Sequence, residues 1–117
     1  MERTEIDKEK TGREILSHLE KGLTLLEKKE EVREFLDLLF SPTEKERVAK
    51  RFEILKKLRQ QISYKEIKKI LNVSDNTVAQ MSNALKIASP QALKAIDRLI
   101  REDLEEAGVD LRFSGTK

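Results

Sequence analysis

The stretch Ser63–Leu85, SYKEIKKILNVSDNTVAQMSNAL, decides the fold. It reads as a helix-turn-helix covering about residues 64–87. Ile67, Leu71, Val73, Val78 and Met81 stand where two short crossed helices need apolar contacts, and Lys65, Lys68, Asp75, Asn76, Ala79 and Gln80 are left outside. Ser63 and Glu66 have the spacing of a capping box. Asn72 follows the first helix, and asparagine tolerates the left-handed backbone that a sharp turn demands. Ser74 can cap the second helix, and Asp75 in its first turn suits the positive end of the helix dipole.

In such a pair the first residues of the second helix reach base edges in the major groove. Asn76 can both donate to and accept from adenine, Asp75 can accept from a cytosine amine, and Ala79 can touch a thymine methyl. Lys65, Lys68 and Lys86 would hold phosphates and set register, with neutral phosphate contacts from Tyr64 and the Ser74 backbone. Thr77 completes this candidate surface. Its expected partner is double-stranded DNA.

Charge placement agrees. Residues 1–40 carry eight Lys/Arg against eleven Asp/Glu, a balance of −3; residues 41–86 carry eleven against five, +6; residues 87–117 carry five against six, −1. The net +2 of the chain therefore conceals a basic middle that holds the helix-turn-helix. That sign in that place favours phosphate contact with release of counterions.

Outward from the motif, nothing alternates with period two, so the expected fold class is all-α. Six helices are predicted, at 12–28, 30–40, 42–60, 64–71, 75–87 and 90–107. Thr11 with Glu14 and Ser41 with Glu44 repeat the capping-box spacing, while Ser41-Pro42 and Ser89-Pro90 put proline at a first helical position. The break near residue 29 is weakly marked, since Glu27–Glu31 holds neither glycine nor proline, and one bent helix fits the pattern as well. Gly108 is a natural stop for the last helix. Residues 11–108 read as one helical domain between two flexible arms, 1–10 and 109–117.

At 117 residues, 39% charged and 38% hydrophobic, the apolar supply is modest. It lies in stripes: Leu16, Leu19, Leu23 and Leu26, then Val32, Phe35, Leu36, Leu39 and Phe40. A core shared between two copies would use them. The chain has no cysteine, which excludes disulfides and thiolate metal sites. No apolar run approaches the roughly 20 residues that span a bilayer. MERTEIDKEKTG lacks the apolar centre of a signal peptide. The expectation is a cytoplasmic protein without a membrane partner. His18, the single histidine, has no companion for a metal site. No Ser-His-Asp set and no glycine-rich phosphate loop is present, so no enzyme activity, metal or obligatory cofactor is expected.

From Leu38 onward the chain resembles the tryptophan repressor family. The residues carrying the resemblance are LFSPTEKERVAKRFEILKKL, SYKEIKKIL, NTVAQMSNALK and SPQALKAIDRLI. It covers about residues 36–104, and helix order extends it back to residue 12. It implies a six-helix tryptophan-repressor-like fold, an intertwined homodimer, and two recognition helices about 34–36 Å apart on a pseudo-palindrome. It also implies a corepressor pocket between the helix-turn-helix and the central core, with L-tryptophan as the ligand. By match, Arg51 would flank the indole, Thr77 and Ser41 would line the pocket, and Leu38 and Phe40 would stand near the amino group. Gln80 replaces a second flanking arginine, Met81 a glycine, and Ala84 a serine. Glutamine neither stacks on an aromatic face nor carries charge as arginine does. These three departures argue against tryptophan.

The leading expectation is a dimeric, sequence-specific transcription regulator, a repressor by resemblance. The alternative is a helical dimerisation module that binds a protein partner through its acidic first third.

Overall fold

A computed structural model describes residues 5–108, with side chains from Thr11 onward. Six helices follow in order: α1 (Glu5–Leu25), α2 (Lys29–Leu39), α3 (Pro42–Arg59), α4 (Tyr64–Leu71), α5 (Asp75–Lys86) and α6 (Pro90–Glu106). No strand occurs among the described residues. No helix among them is long and apolar enough to cross a membrane. The contacts gather into two compact units, Met1–Lys45 and Glu46–Lys117.

In the first unit α1 begins at Glu5, seven residues before the expected start at 12. The helix runs through Thr11 and Glu14, so their spacing marks a helix interior and not a cap. The segment EIDKEK explains this, because its straight-chain charged residues have good helix propensity and nothing in it breaks a helix. Of the expected arms, residues 1–4 and 109–117 lie outside the described residues.

α1 and α2 are separate helices, not one bent helix. Lys28 is extended, with φ −114° and ψ 148°. The Glu31 carboxylate accepts hydrogen bonds from the backbone N–H of Glu27 at 2.9 Å and of Lys28 at 3.2 Å. It thereby satisfies donors that the start of a helix leaves without partners. Those two bonds hold the Glu31 carboxyl below its ordinary pKa. α2 stops where Phe40 turns extended, and the Ser41–Glu44 box opens α3. Ser41 N–H donates to Glu44 Oε1 at 2.8 Å, and Glu44 N–H donates to Ser41 Oγ at 3.2 Å. An ion pair joins Asp37 of α2 to Lys45 of α3.

In the second unit α3 carries the load. It ends in a Schellman arrangement: Ile62 N–H donates to Lys57 O at 3.0 Å and Gln61 N–H to Leu58 O at 2.9 Å. Gln61 sits at φ 65°, a left-handed position usually given to glycine. The centre is formed by Ile54 of α3, Ile67 of α4 and Val78 of α5, all fully buried. Leu58, Ile62, Leu71, Val73 and Met81 pack around them. Burying each of the three central side chains contributes about 1.5–3 kcal/mol.

α6 starts at Pro90 with Ser89 Oγ accepting from Ala92 N–H at 3.1 Å, and it stops as expected before Gly108, which has φ 84°. Polar bonds hold it to α3. Lys56 is the one buried charge among the described residues; its ammonium donates to Asp103 at 2.6 Å and lies 2.9 Å from Glu53. It also stands 4.6 Å from the centre of the Phe52 ring. Burial alone would lower the Lys56 pKa, but its hydrogen bonds to the Asp103 and Glu53 carboxylates outweigh it and the net shift is upward. One turn on, Arg59 grips Asp97 with two bonds of 2.8 and 3.0 Å. The guanidinium bonds hold the Asp97 carboxyl below its usual value.

Candidate nucleic-acid interface

The eight residues of α4 and the twelve of α5 are set at an angle by the turn between them. Ser63 Oγ accepts from Glu66 N–H at 3.2 Å, fixing the start of α4. Asn72 ends it at φ 54° and ψ 57°, its N–H donating to Lys68 O at 2.8 Å. Val73 then turns inward onto the core. Ser74 Oγ accepts from Thr77 N–H at 3.2 Å and lies 3.0 Å from Thr77 Oγ1, so one of the donors that the start of α5 leaves open has its partner. Ile67 and Val78 face each other over Ile54, which locks the two helices onto α3. Each step of the turn follows the sequence reading.

On the outside, Tyr64, Lys65, Ser74, Asp75, Asn76 and Lys86 are exposed, Lys68, Thr77 and Ala79 half-buried. Sequence reasoning missed one connection among them. Lys68 Nζ meets Asp75 Oδ1 at 2.8 Å, so a residue expected at phosphate and one expected at a base edge hold each other. The distance of seven positions across a turn gives no local signal for this; only the crossing of α4 on α5 creates it.

The residues expected at a corepressor separate into groups. Leu38 is 86% exposed, Phe40 half-buried and Ser41 occupied in capping α3; all belong to the first unit. In the second unit Arg51 and Thr77 share one cleft of about 370 Å³ with Arg47, Lys50, Asn72, Val73 and Ser74. Gln80 is exposed and Met81 packs beside Ile54, Ile67 and Val78; neither lines that cleft. Arg47 and Lys50 were not singled out by sequence reasoning. The spacing Arg47, Lys50, Arg51 puts three cations on one helix face, and that was the available signal.

No group of histidines, cysteines and carboxylates able to hold a metal occurs among the described residues. The arrangement presents hydrogen-bonding and cationic groups on a fixed helical frame. No curated protein and no solved structure matches the chain. The family model described as Trp repressor protein matches residues 6–100, a span that holds almost all of α1 through α6 and the whole capped α4–α5 pair. The chain therefore belongs to the Trp repressor family, a family of DNA-binding transcription regulators.

Proposed function

We propose that the protein is a homodimeric, sequence-specific repressor that reads a pseudo-palindromic operator through two α4–α5 pairs. The observation carrying this reading is the pair itself: both helices capped, a left-handed turn at Asn72, and Lys65, Asn76 and Lys86 exposed around the frame. Lys65, Lys68 and Lys86 take phosphates, and Asn76 in the first turn of α5 reads a base. The exposed leucines of α1, Leu16, Leu19 and Leu23, support the dimer, because a row of large apolar groups at helical spacing calls for a partner face. Met81, seated on the core, and Gln80, exposed, support binding to DNA without tryptophan.

Duplexes selected from random sequence, followed by anisotropy titration over a range of salt, test the reading. Lys68→Ala should weaken every duplex alike and reduce the slope of log affinity against log salt by about 1. Asn76→Ala should cost about 1–3 kcal/mol at particular base pairs and relax preference there. Unchanged affinity in both variants at low salt, or a wild-type protein that selects no sequence, removes the proposal. Addition of L-tryptophan should leave the affinity unchanged.

A further inference from the structure

The cleft between α3 and the start of α5 has a charge pattern that the reading above does not use. Arg47, Lys50 and Arg51 line one wall, and Asn72, Ser74 and Thr77 supply amide and hydroxyl groups on the other. No carboxylate is among its lining residues. Among the described residues, Lys50 has an exposed partner, Glu46 at 3.3 Å, one turn back on the same helix, and neither arginine has an ion-pair partner. An exposed pair of that kind holds its lysine weakly, so Lys50 is available to a stronger anion. Two guanidinium groups one helical turn apart can each present a fork of N–H donors to one tetrahedral anion. An indole stacked on Arg51 would leave the charges of Arg47 and Lys50 unused. Val73 is the one wholly hydrophobic side chain among its lining residues.

We propose that this cleft is a seat for a phosphate group, held by Arg47, Arg51 and Lys50 and oriented by the Ser74 and Thr77 hydroxyls. Ser74 and Thr77 share a single hydroxyl–hydroxyl bond, so one hydroxyl proton remains to donate to the anion. Resting on the DNA reading, the source is a backbone phosphate of the bound duplex, and the footprint extends from α4–α5 onto α3. A phosphorylated small molecule offers the same chemistry, and the test separates the two.

Inorganic pyrophosphate is titrated into the full-length protein while backbone amides of Ser74 and Thr77 are followed by NMR. The same protein, Arg47→Gln, Arg51→Gln and the double variant are titrated with a selected duplex at several salt concentrations. Both arginines are exposed on one helix face, and circular dichroism confirms that the variants keep the helical fold. The expected result is an amide shift with pyrophosphate that the double variant loses. Each single variant should lose about tenfold in duplex affinity, equally for all sequences, and about 1 in the salt slope. Displacement of pyrophosphate by the duplex assigns the seat to the DNA backbone. Pyrophosphate retained on the DNA complex, with unaltered duplex affinity in the variants, assigns it to a phosphorylated small molecule. Absence of any amide shift together with wild-type duplex affinity and salt slope in the double variant overturns the seat. That result leaves the Lys68 and Asn76 tests untouched, so failure of the seat and failure of DNA reading are distinguishable.

Discussion

At the scale of single residues, the Lys68–Asp75 pair carries the sharpest consequence. Asp75 places a negative charge on the edge of the reading surface, and Lys68 is the group that neutralises it. An exposed pair of this kind is worth only about 0.2–1 kcal/mol, so DNA can compete for the lysine. Opening the pair for a phosphate leaves Asp75 facing the duplex, which is tolerable where it meets a cytosine amine and repulsive elsewhere. Asp75→Asn should therefore raise affinity for non-cognate duplexes by about three- to tenfold at low salt and narrow the gap between cognate and non-cognate DNA. Competition titrations with one selected and one scrambled duplex measure both. A variant that preserves the full discrimination would show that Asp75 takes no part in choosing sequence.

Among the elements, the ion pairs between α3 and α6 and the capping of α2 by Glu31 set a dependence on pH. Asp97 and Glu31 have carboxyls held below their ordinary values, by the Arg59 guanidinium and by two backbone N–H groups respectively. A carboxyl depressed by folding adds stability above its unfolded pKa, which is lost as pH falls through the folded value. Lys56 is shifted the other way by Asp103 and Glu53, so its contribution is complete below its unfolded pKa and lost as pH rises through the folded value. Urea denaturation should thus give a plateau between about pH 5 and 9, with one shoulder descending below about pH 4 and another above about pH 10. Lys56→Ala should lower stability by about 1–2 kcal/mol and remove the alkaline shoulder while keeping the acid one. An alkaline shoulder that survives the substitution would place its origin elsewhere. The sequence announced the helices through their caps, Ser41, Ser63, Ser74 and Ser89, and all four serines act as expected. It did not announce the Lys56–Asp103 contact, because 47 positions separate the two and only packing brings them together. It marked the break before α2 only weakly, because a glutamate four positions downstream does the work that glycine or proline usually does.

For the whole molecule, the distribution of apolar surface is the dominant fact. Among the described residues three side chains are fully buried, whereas Ile15, Leu16, Leu19, Leu23 and Leu25 of α1 are exposed. Ile87, just after the reading helix, is 87% exposed. Exposed groups in such number are costly in water and become stabilising once a second copy covers them, at about 25 cal/mol for each Å² removed from solvent. Leu16→Glu combined with Leu23→Glu should convert the protein from dimer to monomer in sedimentation velocity and lower duplex affinity by at least a hundredfold, since paired half-sites are then engaged singly. A double variant that sediments as the wild type would refute an interface through α1. The stripe itself was legible from leucine spacing, as was the reading head from Ile67, Val73 and Val78. The cleft was half legible: Arg51 and Thr77 were singled out through family resemblance, but the cations beside Arg51 acquire meaning only when α5 is laid against α3.

One more consequence follows from the two left-handed residues that bracket α4. Gln61 at φ 65° and Asn72 at φ 54° occupy positions where glycine would be more comfortable by about 1 kcal/mol. Glycine would also leave each joint free to sample many alternative backbone states, and neither joint has that freedom. If α5 reads DNA as proposed, its aim is set by these two joints, and less ordering entropy is lost on contact.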